Sequence, residues 1–297
     1  MALIGLLPKR SERLRADLLL LLVALIWGSA FVAQRIAAQK IGINYFNGVR
    51  FIVAALFLLL PARSRLAAWF RSTDKNLGGI FMAGLLLFGG TTLQQWGLRY
   101  TTAGNAGFIT GLYVVFIPLI LAIGWRQKVN RMTWVAVGCS AAGMFLLSTE
   151  GKFVANPGDA LELAGAVLWA GHVILIGRLV RHMDVLPLAI GQYLVTGILS
   201  LGVSLAIEQG ANRLMGELWW TVVYTGVLSV GVGYTLQAIG QRVAPPTDAA
   251  IILSSEAVFA ALSGWIILNE ILSDRQLAGC ALIFAGIVFA QLNRLAE

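Results

Sequence analysis

Long apolar runs recur along the whole chain, and short polar connections separate them. Crossing the hydrocarbon core of a bilayer takes about 20 mostly apolar helical residues, whereas a barrel strand alternates over about 10 residues. The runs in this chain are continuous and have the helical length. The pattern therefore predicts ten membrane-spanning helices, at residues 17–38, 45–61, 77–98, 105–125, 132–149, 159–180, 186–208, 218–241, 248–269 and 275–293.

Composition agrees with a membrane setting. Of the 297 residues, 58% are hydrophobic and 12% are charged, which leaves too few polar side chains to cover a water-soluble globule. A tail at residues 1–16 precedes the first run and carries basic residues, as a signal peptide does. The first run is longer than the apolar part of a signal peptide and nine more follow, which favours a retained helix.

The basic residues are unevenly distributed between the two ends of the predicted helices. With the N-terminus inside, 15 of the 22 Lys and Arg fall at cytoplasmic ends, and 11 of these lie in the first three cytoplasmic segments. This bias favours both termini in the cytoplasm of a cell whose plasma or inner membrane holds the protein. It also accounts for the net charge of +8 without a nucleic-acid partner.

The second half of the chain repeats the first at a separation of 143 residues. In the first two spans of each half the separation is 142, because a loop absorbs one residue. Each half contains five spans, and an odd number makes the two halves antiparallel. The fold class is therefore expected to be all-α, with inverted repeats at residues 17–149 and 159–293. The matches are Thr92-Leu93-Gln94 with Thr235-Leu236-Gln237, Gly97 with Gly240, Arg99 with Arg242, Gly143 with Gly286, Trp27 with Trp169 and Phe51 with Tyr193.

Two similar bundles of opposite orientation can pack with their interface open to either side at nearly equal energy. Inverted repeats are therefore typical of secondary transporters, with a substrate site near the midplane between the halves. The sequence predicts a carrier of a small molecule. A duplication retained in a channel, an enzyme or a scaffold is the alternative explanation of the repeat.

Glu256 is the most unusual residue of the predicted spans, because it lies about 12 Å of helical rise into the ninth. An acidic residue at the bilayer centre costs about 2.5–3.5 kcal/mol and usually faces a bundle interior or an aqueous cavity. Glu256 is a candidate for coupling to protons or for binding a cationic group. A neutral glutamate that joins two helices by a hydrogen bond is an equally good explanation.

Other polar and aromatic residues at membrane depth are candidates for the same cavity. Tyr113 occupies the repeat position of Glu256, and Trp27 and Trp169 lie deeper than tryptophans that anchor at a membrane surface. Interhelical hydrogen bonding or core packing is the alternative for each of them. The residues predicted to bind substrate or couple are Trp27, Gln94, Tyr113, Trp169, His172, Tyr234, Gln237 and Glu256.

Two further residues have local predictions. Arg50 is expected near the outer end of the second span, where its side chain can reach the membrane interface. Pro118 predicts a kink within the fourth span, because proline removes a helical hydrogen bond.

Catalytic chemistry has little support. The chain contains two histidines and lacks an HExxH motif, a phosphate-binding glycine loop and a set of nucleophile, base and orienting residue. Neither a metal nor a cofactor is therefore expected. Two alternatives to a carrier stay open. One is an intramembrane enzyme that acts on a lipid or lipid-linked group through Glu256 and His172, and the other is a scaffold with no cavity.

Several segments resemble the EamA-type transporters of the drug/metabolite transporter superfamily. They are LIWGSAF at residues 25–31, NAGFITGLYVVFIP at residues 105–118 and, in the second half, Glu256, Gly264, Asn269-Glu270, Gly279 and Gly286. The resemblance implies ten helices in two inverted units and carrier activity, often the export of metabolites, amino acids or drugs. Ala257 departs from the proline that usually follows this glutamate. Gln127 stands opposite Glu270 in the repeat, which favours a structural role for Glu270.

Overall fold

The computed structural model describes residues 9–72, 75–101, 103–148, 157–210, 215–268 and 273–296. Its regular secondary structure in these ranges is entirely helical, which confirms the all-α prediction. The helices are α1 (Arg10–Lys40), α2 (Ile43–Arg71), α3 (Leu77–Gly97), α4 (Ala103–Gly111), α5 (Tyr113–Trp125), α6 (Arg131–Ser148), α7 (Pro157–Leu179), α8 (Val185–Ile207), α9 (Met215–Val223), a π-helix (Tyr224–Tyr234), α10 (Thr235–Gly240), α11 (Pro246–Leu253), α12 (Glu256–Leu268) and α13 (Asp274–Ala296).

Seven helical segments of the described chain are long and apolar enough to cross a membrane. They are α1, α2, α3, α4 with α5, α7, α8, and α9 through α10, and they coincide with seven of the predicted spans. The protein is therefore a multi-pass membrane protein. The other three predicted spans correspond to α6, to α11 with α12, and to α13. Thr149, Asn269 and Glu270 lie outside the described residues.

The fourth predicted span is interrupted, although not at the expected residue. The helix breaks at Leu112, and Pro118 lies within the following helix α5. Proline lacks an N–H and its ring clashes with the carbonyl one turn earlier, so its disturbance falls on the residues that precede it. That carbonyl belongs to Val114, which lies within α5, so the break at Leu112 comes before the residues that the proline disturbs directly.

The ninth predicted span breaks at the equivalent place without a proline. The hydroxyl groups of Ser254 and Ser255 donate hydrogen bonds of 2.7 Å to the carbonyls of Ile251 and Ile252. Carbonyls at the end of α11 thereby gain partners that a continuing helix would otherwise supply. The departure at Ala257 from the family pattern thus does not prevent the break. Since Ser255 lies 143 residues after Leu112, both breaks occupy one repeat position.

The eighth predicted span contains a π-helix that the sequence pattern did not predict. Its wider turns direct backbone carbonyls towards neighbouring side chains. Trp27 Nε1 donates to the Ser229 carbonyl at 3.0 Å, and the Tyr193 hydroxyl donates to the Val230 carbonyl at 3.0 Å. The repeat-equivalent residues 81–91 lie in the regular helix α3. The π-helix is therefore a feature of the second half, and π-helical turns often occur at functional sites.

Helices from the two halves pack as antiparallel pairs. Gly48 of α2 lies against Leu201 of α8, and Gly197 lies against Ile52, so the two helices run in opposite directions. α6 and α13 pair in the same way, and α3 pairs with α7 through Gly90 and Trp169. Glycine at these contacts lets the backbones approach closely.

A carboxylate from α8 caps the first turn of α2. Glu208 accepts hydrogen bonds from the backbone N–H groups of Asn44 and Tyr45 at 2.9 and 3.0 Å, and from the Asn44 side chain at 3.0 Å. Partial burial opposes the charge of Glu208, but these hydrogen bonds outweigh it and hold its pKa below the usual value. At the other end of the pair, Arg65 and Asp184 form an exposed salt bridge of 3.0 Å, which contributes little.

Replacing Glu208 with glutamine is expected to lower the stability of the purified protein by about 1 kcal/mol, the usual contribution of a helix cap. Because the folded-state pKa is depressed, the stabilisation is present above the ordinary glutamate pKa of about 4.3 and is lost as pH falls through the folded value. Thermal unfolding in detergent measures the effect. Glu217→Gln, at an exposed position in the first turn of α9, is the control. An equal effect of both substitutions would contradict the role of the cap.

Candidate functional site: a cavity at two broken helices

A cavity lies where the helices break, with about 480 Å³ of empty space that includes the part open to the outside. All eight residues predicted to bind substrate or couple line it. The lining comes from both halves of the chain. It includes residues of the first, third, fourth, sixth, eighth and ninth predicted spans, and Arg50 adds the second span. The residues that sequence reasoning did not place there are Phe31, Gln34, Arg50, Thr110, Val173 and Ser229.

The centre of the cavity is marked by a hydrogen bond between two repeat-equivalent residues. Tyr113 is the first residue of α5 and Glu256 is the first residue of α12, each directly after a helix break. The Tyr113 hydroxyl donates to Glu256 Oε1 at 3.1 Å, and both side chains are buried. Two residues at the same position of two copies touch only where the copies meet. This contact therefore lies at the centre of the arrangement.

Aromatic rings form one wall. The Tyr234 ring lies between the two equivalent tryptophans, 4.7 Å from the Trp27 ring centroid and 5.9 Å from that of Trp169. The Trp169 and Tyr234 rings are stacked, with 14° between their planes. Such faces carry negative potential and attract cations. The wall can therefore hold either an apolar side chain or an ammonium group.

The two glutamine residues of the repeat differ in their contacts. Gln94 donates from Nε2 to Thr110 Oγ1 at 3.4 Å. Gln237 is 1% exposed, and neither its Nε2 nor its Oε1 has a hydrogen-bond partner in the described structure. Thr110 in turn donates to the carboxyl group of Glu162. The repeat positions equivalent to Thr110 and Glu162 are Leu253 and Leu20, which offer no polar atom. A buried amide without partners costs free energy, so Gln237 is available to a ligand.

His172 is buried beside the aromatic wall but does not contact Glu256 through a hydrogen bond. Its Nε2 lies 2.9 Å from Gln192 Oε1, and its Nδ1 has no partner in the described structure. Glu256 is bonded to Tyr113 instead. The acid and base that the enzyme hypothesis requires are therefore engaged with different partners.

The prediction for Arg50 is wrong. Its side chain is 2% exposed and lines the cavity instead of reaching the membrane interface. Nη1 donates to Gln34 Oε1 at 2.8 Å, and the guanidinium group lies 5.0 and 5.4 Å from the ring centroids of Phe46 and Phe51. Nε has no partner in the described structure. The sequence shows how far Arg50 lies along α2, whereas packing decides which way it faces.

Glu162 is a second buried acid, which the sequence pattern did not mark as a candidate. Glu162 is 0% exposed in α7, and Thr110 donates to its Oε2 at 2.8 Å. The span prediction placed Glu162 within one turn of a helix end, where an acid usually meets water. Glu256 is thus not the only carboxyl group inside this membrane protein.

Metal-ligating side chains do not cluster in the described residues. No group of three or more His, Cys, Asp or Glu side chains comes together in them. Cys139 and Cys280 are free thiols, each of them half-buried. The polar groups that face the cavity are a carboxyl group, a guanidinium group, amides and hydroxyls, which suit an organic ligand.

Comparison with known proteins identifies the family. The sequence profile of the EamA-like transporter family matches residues 14–149 and again residues 156–292. The chain belongs to the EamA-like transporter family. This family is part of the drug/metabolite transporter superfamily, so the resemblance noted in the sequence is confirmed.

Individual relatives of this EamA protein are named as transporters. An uncharacterized transporter of Archaeoglobus fulgidus is 34% identical, with 95% of this chain and 87% of that protein covered. A probable amino-acid metabolite efflux pump of Salmonella typhimurium is 25% identical, with 91% and 92% covered. The threonine/homoserine exporter RhtA of the same organism is 27% identical, with 57% and 58% covered.

A crystal structure among the solved structures that match has the same fold. It superposes with a TM-score of 0.80 at 20% identity and covers 97% of this chain and 100% of its own.

Proposed function

We propose that this EamA protein is a secondary transporter that carries a small organic solute by alternating access between two inverted five-helix repeats, residues 17–149 and 159–293. The observation that carries the proposal is the hydrogen bond between Tyr113 and Glu256 inside a polar cavity. The antiparallel pairing of helices from the two halves supports the inversion, and it supports ten membrane crossings. Related proteins named as transporters support the activity.

The two helix breaks supply the moving parts of the proposed carrier. α4 and α5 share a joint at Leu112, and α11 and α12 share one at Ser254 and Ser255. A joint of this kind lets the outer segment of a helix tilt while the inner segment stays packed. Because the joints lie beside the cavity, tilting of one segment opens it on one side only.

We propose a zwitterionic amino acid or a close relative of one as the substrate. Arg50 supplies a guanidinium group for a carboxylate, while Glu256 and the aromatic wall supply partners for an ammonium group. The free amide of Gln237 is available to a polar side chain of the substrate. Relatives named as an amino-acid metabolite efflux pump and a threonine/homoserine exporter support this substrate class and the direction of export.

Glu256 also gives the proposed carrier a means of coupling to protons. A single buried carboxylate holds either an ammonium group or a proton, and an empty charged state is costly in the membrane. Exchange of one for the other in each cycle would drive export by the proton gradient of a plasma or inner membrane. The distribution of basic residues supports cytoplasmic termini in that arrangement.

Counterflow in proteoliposomes tests the proposed function. Vesicles that hold the purified protein are loaded with one unlabelled compound and tested for uptake of the same labelled compound, across amino acids, nucleosides and cationic drugs at two pH values. We expect stimulated uptake for a polar amino acid, with none in protein-free vesicles. Stimulated uptake of another class alone would contradict the proposed substrate, and no stimulated uptake of any class would contradict the carrier.

A further inference from the structure

A second carboxyl group lies buried at the end of the molecule where α3 ends and where α4 and α7 begin. Glu162 belongs to the second turn of α7. It accepts from Thr110 of α4, which in turn accepts from Gln94 of α3. Thr110 and Gln94 line the cavity, whereas Glu162 does not. A chain of hydrogen bonds thus joins the cavity to an acid outside it.

No cation balances Glu162 in the described part of the chain. No Lys or Arg nitrogen there lies within 4.0 Å of its oxygens, and Oε1 has no hydrogen-bond partner. Asp159, one turn earlier on α7, is itself an acid and supplies no balancing charge. Burial without a cation favours the protonated, neutral form of a carboxyl group.

The neighbouring helices supply no other titratable group to this place. α3 and α4 contain none at all. Tyr113 of α5 is bonded to Glu256. α11 approaches α7 near Gly177, about four turns from Glu162, so Asp248 at the start of α11 lies far from it. Asp159 of α7 is part-buried and accepts from Thr101 at 2.8 Å, and Arg99 in the turn after α3 donates to the Ala38 and Ile41 carbonyls. Among the described residues, Glu162 is therefore the fully buried acid at this end.

The repeat shows that the acid is specific to one end of the molecule. Glu162 lies so close to Gly97 that a Cβ atom there would stand 2.6 Å from Glu162 Oε1. The equivalent pair in the repeat is Leu20 and Gly240, where a Cβ atom on Gly240 would stand 2.9 Å from Leu20 Cγ. One end thus closes on an apolar contact and the other on a carboxyl group.

We propose that Glu162 is a proton-binding site whose occupancy controls opening of the cavity at the α3–α4–α7 end. Separation of α7 from α3 and α4 brings water to the carboxyl group, which then releases its proton. Closure buries the group again and requires the proton to be bound. Because the closed state holds one more proton than the open state, low pH favours closure and high pH favours opening. The inference rests on the proposed alternating access and adds a proton site separate from Glu256.

Thiol labelling between α7 and α3 measures this opening without a known substrate. Gly165 of α7 is buried one turn after Glu162, and a Cβ atom there would lie 3.6 Å from Leu93 Cβ and 3.7 Å from the Gly90 carbonyl of α3. These are ordinary contact distances, so Gly165→Cys fits the closed state. Gly104 is exposed with open space around it at the start of α4, and Gly104→Cys reports the intrinsic pH dependence of a thiol at the same end of the molecule.

Each cysteine is introduced into the full chain with Cys139→Ser and Cys280→Ser. The protein is held in lipid nanodiscs, where both faces meet the same buffer, and is labelled with a polar maleimide. The measured quantity is the labelling rate of Gly165→Cys divided by that of Gly104→Cys. We expect this ratio to rise about tenfold from about pH 5 to about pH 8.

Two substitutions of the acid complete the test. In Glu162→Gln and in Glu162→Leu the ratio is expected to stay low at every pH, because neither side chain can ionise. Glu162→Leu reproduces the contact that Leu20 makes with Gly240, so the fold already contains a precedent for it. A ratio independent of pH with Glu162 present, or a pH dependence that survives both substitutions, overturns the proposal.

The outcome also separates this inference from the proposed function. Labelling that depends on pH through Glu162, in a protein that shows no counterflow, supports the proton site and contradicts the proposed carrier activity. Counterflow together with a labelling ratio that does not change with pH supports the carrier activity and contradicts the proposed role of Glu162.

Discussion

Replacing Arg50 with glutamine is expected to lower the transport of amino acids by about 10- to 100-fold. A hydrogen bond to a charged group contributes about 1.5–3 kcal/mol, and each 1.4 kcal/mol is a factor of ten. The loss should be confined to substrates with a carboxylate. We therefore expect the variant to lose its preference for an amino acid over the decarboxylated amine of the same size, measured by competition in counterflow.

Two controls separate binding from folding in this experiment. A glutamine side chain is shorter than that of arginine and gives up the hydrogen bond to Gln34, so the thermal stability should fall by about 1 kcal/mol, the contribution of one hydrogen bond. Arg50→Lys keeps the charge but not the planar fork, and it should give an intermediate loss. An unchanged preference for the amino acid in both variants would show that Arg50 only holds helices together.

Replacing Glu256 with glutamine is expected to reduce transport by about 10- to 100-fold and to remove its dependence on pH. Glutamine keeps the shape and can still accept from Tyr113, but it binds neither an ammonium group nor a proton. With Glu256 present, protons compete with the substrate, so uptake should rise as the pH on the substrate side is raised. Uptake at a series of pH values in proteoliposomes measures both effects.

Tyr113→Phe is the matched control for Glu256. It removes the hydrogen bond of 3.1 Å but leaves the carboxyl group in the cavity. We expect a loss of less than about tenfold and an unchanged pH dependence, since one hydrogen bond contributes about 0.5–1.5 kcal/mol. If transport and its pH dependence survive Glu256→Gln, the carboxyl group is a structural link between α5 and α12 and not a coupling site.

The repeat made much of the candidate site accessible from the sequence. Polar residues inside a membrane are costly and therefore face a protein interior, which is why Gln94, Tyr113 and Glu256 all line the cavity. The separation of 143 residues also paired Tyr113 with Glu256, which hydrogen-bond to each other in the structure. Thr110 and Ser229 gave no such signal, because hydroxyl side chains are common in membrane helices.

The length and apolar character of each run are properties of the chain, and they decided that this protein is helical and lies in a membrane. Identical residues at a fixed separation decided which positions correspond. The direction of a side chain, by contrast, depends on which helix packs beside it and on where backbone hydrogen bonds are interrupted. Only the tertiary structure could therefore place Arg50 in the cavity, bury Glu162 against Gly97 and turn residues 224–234 into a π-helix.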